Sequence, residues 1–272
     1  MDRYAVMGNP VAHSKSPLIH TLFAGQTNQQ LRYDAILVQR DGFKEAVTDF
    51  LHQGGKGLNI TIPFKEEAWA LAATRSDRAE RAGAVNTLVL DENGRHFGDN
   101  TDGAGLVRDL LHNYGAVLQN KRLLLVGAGG AARGVIEPLL GEKPSLLVIA
   151  NRTAEKAVEL ARLFCELGHT EGCGLTDVDG QPFDIIINAT AASLSGAVPA
   201  LPEGVVTTDS WCYDMMYGDH PTAFMEWAQQ LGAARCMDGL GMLVEQAAES
   251  FCLWRKVRPD TGPVIQALRQ PD

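Results

Sequence analysis

Apolar residues in the first hundred positions fall into short runs separated by stretches of helical spacing. Tyr4–Met7, Tyr33–Val38 and Leu58–Ile62 read as strands. Between and after them the pattern predicts a helix following Ser16-Pro17, another from Gly42, and helical segments around Phe64–Ala73 and Ser76–Ala82. This β-α-β-α-β rhythm predicts a mostly parallel sheet with helices on both faces. Thr87–Leu90 and Arg95–Gly98 flank Glu92-Asn93-Gly94, a turn signal, so a hairpin is expected at the sheet edge.

A second rhythm follows Asp102. An amphipathic helix from Gly105 to Tyr114 leads to the apolar run Leu123-Leu124-Leu125-Val126, a glycine turn and a helix from Ala131. Strands are then predicted at Leu146–Ala150, Ile185–Asn188 and Val205–Asp209, with a helix over Thr153–Leu167. That is a separate doubly wound unit of Rossmann type. From Asp238 the chain reads as helical, and a last helix covers Val264–Leu268; these terminal helices are expected to return to the first domain. The fold class is thus α/β with two domains, residues 1–102 with 238–272 and residues 103–237.

Composition narrows the partners. The chain has 272 residues, of which 45% are hydrophobic and 21% charged, so it can bury a core without metal or disulfide staples. Its 24 basic and 33 acidic residues give a net charge of −9, which disfavours nucleic acid and favours a small-molecule partner. No run approaches the roughly 18 apolar residues that a membrane helix needs. Asn9, Pro10, His13, Ser14 and Lys15 break up the apolar N-terminus before a signal-peptide core can form, so a cytoplasmic place is expected. Five cysteines without a Cys-x-x-Cys pair, and histidines without His-Glu-x-x-His spacing, suggest reduced thiols and no metal.

Gly127, Gly129 and Ala132 match the dinucleotide-binding fingerprint, placed between an apolar strand and a helix. Gly127 suits a tight turn. Gly129 lets the backbone approach a pyrophosphate, whose charge the helix N-terminus stabilises. At the end of the next strand, where an acid would meet a free ribose 2′-hydroxyl, the chain reads Ala150-Asn151-Arg152-Thr153. A guanidinium there suits a 2′-phosphate, and Lys156 lies one helical turn on, so the cofactor is read as NADP. Asn151 or Thr153 can equally cap the following helix, and the two roles are compatible.

In the first domain, Ser16-Pro17 looks like an N-cap followed by Pro at the first helical position. That explains Ser16 and leaves Ser14 free; two hydroxyls beside a helix N-terminus would also hold a carboxylate. Asn59 to Lys65 ends a strand and starts a helix, the place of the ligand crevice in open α/β sheets. Lys65 taken alone fits a solvated surface lysine, and Asp102 fits a helix cap. Reduction of a ketone, however, leaves a developing alkoxide that needs a proton donor, and a lysine oriented by a carboxylate can supply it. Asn86 and Asn100-Thr101-Asp102 are further polar candidates for the same crevice.

Together these residues resemble the shikimate dehydrogenase family, from Tyr4 almost to the C-terminus. The matching blocks include Gly8-Asn9-Pro10, His13 to Pro17, Asn59 to Glu67, Gly83 to Thr87 and Gly98 to Gly103. They continue through Gly127 to Ala131, Asn151-Arg152-Thr153, Tyr213-Asp214-Met215, and Asp238 to Leu243 with Gln246. The resemblance implies reversible, NADPH-dependent reduction of 3-dehydroshikimate to shikimate in aromatic biosynthesis, by a monomer or homodimer. It implies that residues 1–102 with 238–272 bind substrate and 103–237 bind NADP. Lys65 would be the acid/base with Asp102 as partner. Ser14 and Ser16 would hold the substrate carboxylate, and Thr61, Asn86, Asp102, Tyr217 and Gln246 would bind the ring hydroxyls or line that pocket. Gly127, Ala128, Gly129, Gly130 and Ala131, with Asn151, Arg152, Thr153 and Lys156, would bind the phosphates and adenosine end of the cofactor. Thr190 would also touch it, and Asp77, Met215 and Gly239 would lie near its other end.

Two departures fall on the cofactor side. Lys156 stands where Arg is frequent, and Ala191-Ala192-Ser193 stands where the family often has Ser-x-Gly. Losing a hydroxyl at Ala191, and adding at Ser193 a Cβ that disfavours positive φ, is expected to loosen the cofactor. The rival readings are a quinate/shikimate dehydrogenase of broader specificity and a non-catalytic NADP-binding regulatory domain. Retention of Lys65 and Asp102 argues against the latter, because cofactor binding alone requires neither.

Overall fold

The computed structural model describes residues 1–270. The chain forms two compact units, Met1–Gly105 with Val244 onward, and Leu106–Leu243. Each is α/β, as the two rhythms predict.

The first unit holds a six-stranded sheet of β1 (Asp2–Gly8), β2 (Leu31–Leu37), β3 (Gly55–Ile60), β4 (Thr74–Arg75), β5 (Thr87–Val89) and β6 (Phe97–Asp99), in the order β2-β1-β3-β5-β6-β4. Helices α1 (Ser16–Gln26), α2 (Phe43–His52), α3 (Lys65–Leu71) and α4 (Asp77–Ala82) connect the strands. Alternation along β1 explains its unbroken burial. Ala5 and Met7 pack with Phe43, Phe50 and Phe64 on one face, while Tyr4 and Val6 pack with Tyr33 and Trp254 on the other. The β5–β6 hairpin forms, antiparallel as expected, but it is not the sheet edge. The two-residue β4 pairs parallel with β6 and covers it; a strand that short carries no periodic signal.

The second unit has six parallel strands: β7 (Arg122–Val126), β8 (Leu146–Asn151), β9 (Thr170–Gly174), β10 (Ile185–Asn188), β11 (Trp211–Asp214) and β12 (Arg235–Met237), ordered β12-β11-β10-β7-β8-β9. Chain progression reverses between β7 and β10, the switch point at which such sheets bind ligands. Helix α5 (Asp102–Arg108) enters this unit and continues as a π-helical turn over Asp109–Asn113. The other helices are α6 (Gly130–Gly141), α7 (Ala154–Phe164) and α8 (Ala223–Gln230). Leu123 and Leu125 face one core cluster, Leu124 and Val126 the other.

Val205–Asp209, expected as a strand, is turn and loop, and the strand is β11 instead. Hydroxyl groups decide this. Thr207 N donates to Ser210 Oγ at 2.9 Å and Ser210 Oγ donates to Phe183 O at 2.7 Å, so the backbone closes into a turn although Val205 and Val206 are buried. Strands β9 and β12 and helix α8 lie outside the elements that the apolar pattern predicts.

Helix α9 (Leu240–Arg255) carries the chain back to the first unit at Val244, and α10 (Gly262–Arg269) follows. Arg258, in the link between them, bonds Glu245 at 3.1 Å and Glu249 at 2.6 Å on α9. Among the described residues no helix is long and apolar enough to cross a membrane.

Candidate active site

In the first unit the polar candidates converge. Lys65 opens α3, and its Nζ lies 2.6 Å from Asp102 Oδ2; both side chains are partly exposed, at 28% and 15%. Asn86 Nδ2 donates to the other carboxylate oxygen of Asp102 at 2.8 Å, and lies 2.9 Å from Thr101 Oγ1 and 3.4 Å from Gln246 Oε1. Asn86 Oδ1 accepts from Thr101 N at 2.9 Å. Asp102 therefore has one oxygen on a cation and the other on an amide whose own orientation is set by the backbone. A lysine held this way can deliver a proton to an oxygen beside it and recover one in the reverse direction.

The serines exchange the roles expected from their spacing. Lys15 is the N-cap of α1, Ser16 lies inside the helix, and no N-cap side-chain bond forms. Ser14 Oγ instead accepts from Ser16 N at 3.3 Å, so Ser14 satisfies the helix amide and retains its own O–H for donation. Ser16 is buried. Thr61 is held by its amide on Met7 O at 2.9 Å, immediately beyond β3. Asp77 is exposed in the first turn of α4, in this same unit.

In the second unit a cleft of about 600 Å³ lies over the glycine turn. Gly127, Ala128, Gly129, Asn151, Arg152, Thr153, Lys156 and Thr190 all line it. Gly127 has φ 114°, which an L side chain rarely adopts, and a Cβ there would press on the Thr190 methyl. A Cβ added at Gly129, the N-cap of α6, or at Gly130 would meet nothing within 4 Å, and the first turn carries no acid. The free amides of that turn, which includes Ala131, are thus open to an anion. Arg152 and Lys156 are exposed on one side of the cleft, and neither side chain has a protein partner among the described residues. Asn151 Nδ2 donates to Thr153 O at 2.9 Å, whereas Thr153 occupies the N-cap of α7 without accepting a side-chain bond. The glycine cradle, the open helix terminus and two uncommitted cations fit a dinucleotide bearing an extra phosphate.

Met215 and Gly239 adjoin one another beyond β11 and β12: a Cβ on Gly239 would collide with the Met215 carbonyl. Tyr217 also belongs to this unit, half-buried, with burial pushing its phenol up. Thr190 commits its hydroxyl within its own turn, donating to Asn188 Oδ1 at 2.7 Å. Ser193 differs from expectation. The left-handed residue in its loop is Gly196, at φ 72°, and the Ser193 hydroxyl donates to Asp214 Oδ2 at 2.6 Å. Its presence is therefore compensated rather than strained.

Several supporting residues gave no signal in the sequence. Asp99 takes Arg78 at 2.7 and 2.6 Å, Ser76 Oγ at 2.5 Å and Asn100 N at 2.7 Å. Burial pushes its carboxyl up, but Arg78, Ser76 and the Asn100 amide outweigh that and hold it below the usual range. Asn100 Oδ1 in turn accepts from Asp102 N at 3.2 Å, so Asp99 braces the turn that presents Asp102. Asn59 bridges Tyr33 OH at 2.7 Å and Ser250 Oγ at 2.9 Å beneath Asn86. Asp99 and Asn59 sit inside recognisable blocks, but only long-range contact reveals what they hold.

Three family models match the chain in order. The shikimate dehydrogenase substrate binding domain covers residues 6–88, shikimate / quinate 5-dehydrogenase covers 109–196, and the shikimate 5'-dehydrogenase C-terminal domain covers 239–269. The shikimate dehydrogenase (NADP(+)) of Hahella chejuensis is 58% identical over 272 residues, spanning 100% of both chains. The chain belongs to the shikimate dehydrogenase family. Among solved structures, an Ael1 enzyme from Pseudomonas putida superposes with TM-score 0.94 at 48% identity, covering 100% of this chain and 99% of the other. Shikimate 5-dehydrogenase from Thermus thermophilus, solved in complex with NADP(H) and shikimate, gives TM-score 0.86 at 31% identity over 99% of each chain. For a member of this family, the pairing of Lys65 with Asp102 and the lining of the cleft by Arg152 take on specific chemical meaning.

Proposed function

We propose that this chain is an NADP-dependent shikimate dehydrogenase, reducing 3-dehydroshikimate to shikimate reversibly in the shikimate pathway of aromatic amino acid biosynthesis. The observation that carries the reading is the 2.6 Å contact of Lys65 Nζ with Asp102 Oδ2, with Asn86 on the second oxygen. When bound, NADPH supplies the two electrons and one hydrogen that turn the ketone into an alcohol. Lys65, as the ammonium, gives the proton that the alkoxide oxygen needs, and Asp102 aims that ammonium. In the reverse direction neutral Lys65 accepts the hydroxyl proton.

Ser14 donates its hydroxyl to the substrate carboxylate together with Ser16, and Thr61, Asn86 and Gln246 meet the ring hydroxyls. The first unit, including the chain that returns from Val244 onward, is the substrate domain; the second unit, Leu106–Leu243, is the NADP-binding domain. There, Gly127 to Ala131 admit the pyrophosphate to the α6 N-terminus. Asn151, Arg152, Thr153 and Lys156 hold the 2′-phosphate and adenosine end. Thr190, Met215 and Gly239 belong to the remainder of the cofactor's surroundings. The proposal extends to a cytoplasmic place, supported by five free thiols, and to a monomer or homodimer.

The test follows nicotinamide absorbance with purified protein and all four combinations of shikimate or quinate with NADP or NAD. Turnover concentrated in shikimate with NADP is expected. Equal turnover of quinate would make the enzyme a broad quinate/shikimate dehydrogenase, and cofactor binding without turnover would make it a regulatory module.

A further inference from the structure

Asp214 ends β11 in register with Asn188 of β10, which is itself in register with Val126 at the end of β7. Both polar side chains are fully buried. A buried carboxylate is costly unless a cation or several donors satisfy it. Among the described residues no cation pairs with Asp214. Four neutral donors do so instead. Asn188 Nδ2 (3.1 Å) and Met216 N (3.0 Å) serve Oδ1; Ser193 Oγ and Thr222 Oγ1, each at 2.6 Å, serve Oδ2.

These donors come from three separate segments. Ser193 belongs to the loop after β10, Met216 to the turn after β11, and Thr222 is the N-cap of α8, accepting from Met225 N at 3.3 Å. Asn188 extends the reach of the carboxylate, since its Oδ1 takes both Thr190 N at 3.1 Å and Thr190 Oγ1 at 2.7 Å. Thr190, Ala191 and Ala192 form the wall of the cleft that faces the glycine turn. Asn188 O also accepts from Met215 N at 2.9 Å. One carboxylate therefore ties down the loops that follow β10 and β11.

Resting on the NADP reading above, we propose that Asp214 is a positioning residue for the cofactor: it fixes the loop of Thr190 to Ser193 and the Met215 turn in the shape that receives the dinucleotide. Ser193 is its principal donor from the loop, so the hydroxyl absent at position 191 is replaced by one two residues later. The carboxylate matches its surroundings because four donors meet four lone pairs on two oxygens. An amide offers a single oxygen and would turn its own N–H groups either toward the Asn188 and Met216 N–H donors or toward the two hydroxyls, which would then have to reverse from donating to accepting.

The test measures equilibrium NADPH affinity by fluorescence titration, alongside shikimate affinity by calorimetry without cofactor. For Asp214→Asn the NADPH Kd and KM should rise together by about tenfold, with shikimate affinity within twofold of the parent. Ser193→Ala removes one donor and should raise the NADPH Kd several-fold; it keeps the proposal testable if Asp214→Asn does not fold. Unchanged NADPH affinity in the folded variants overturns the proposal. So does an equal loss of shikimate affinity, which would mark a general loss of structure. If the parent protein itself fails to bind NADPH, the cofactor reading falls, and this inference with it.

Discussion

Lys65 Nζ and Asp102 Oδ2 lie 2.6 Å apart, although 37 positions separate them in the chain. Asn86 holds the other oxygen of Asp102, and the Asn100 side chain holds its backbone amide. Asp102 is therefore held at its side chain and at its backbone, which is the preorganisation that proton transfer rewards.

Replacing Lys65 removes the proton donor while leaving the rest of the cluster in place. Lys65→Ala should lower kcat by about 10²–10⁴-fold, the range of general acid–base catalysis. Shikimate affinity measured by calorimetry should change much less. A variant that loses binding but keeps kcat would reduce Lys65 to a binding residue.

Arg152 projects into the cleft without a protein partner among the described residues, so its charge is available to a 2′-phosphate. Arg152→Ala should weaken NADP binding by about 1.5–3 kcal/mol, the worth of a charged hydrogen bond, and leave NAD nearly unchanged. Titrations with both cofactors decide it; equal losses would assign the 2′-phosphate to some other group.

Ser14 both satisfies the Ser16 amide and keeps a donor, so the cost of losing a cap moves to it. Ser14→Ala should raise KM for shikimate and also lower stability by about 0.5–2 kcal/mol, as N-cap removal does. Thermal melts and steady-state kinetics on one preparation test both effects. Normal kinetics with a lowered melting temperature would leave Ser14 a structural residue.

His20 gives a pH dependence with a definite sign. Its ring stacks on Tyr33 at 4.2 Å and is fully buried, and burial holds its pKa down at about 3, with Asn59 opposing weakly. Between that value and the ordinary one near 6.5, the unfolded chain binds a proton that the folded chain does not. Stability from this group is therefore complete above about pH 6.5 and is lost as pH falls toward 3, by up to about 1.4 kcal/mol per pH unit. Urea midpoints at about pH 7, 5.5 and 4.5 should fall more steeply for the parent than for His20→Leu. Parallel slopes would mean that His20 is protonated in the folded protein or that the ring escapes its pocket.

Much of the second unit is legible in the sequence because its signals are local. The Leu123 to Val126 run, the Gly127 turn and Arg152 in place of an acid depend on strand periodicity, backbone freedom and charge at short spacing, and all three stand where the pattern puts them. The strand expected at Val205–Asp209 fails for a related reason: its apolar residues are buried, but hydroxyl bonds to Ser210 and Phe183 turn the backbone. Ser193 likewise reads as strained in the sequence, and only the carboxylate it serves shows that it is not.

By itself the sequence determined the two α/β rhythms, the glycine cradle and the cofactor class, since helices, strands and turns follow from preferences that act over a few neighbouring residues. Only the tertiary structure decided that Asn86 meets Gln246 across 160 positions, that Asp99 braces Asp102, and that Asp214 gathers three segments onto one carboxylate. Such contacts depend on strand order and register in the folded sheets. No local periodicity encodes them, because the partners become neighbours only after the intervening chain has folded.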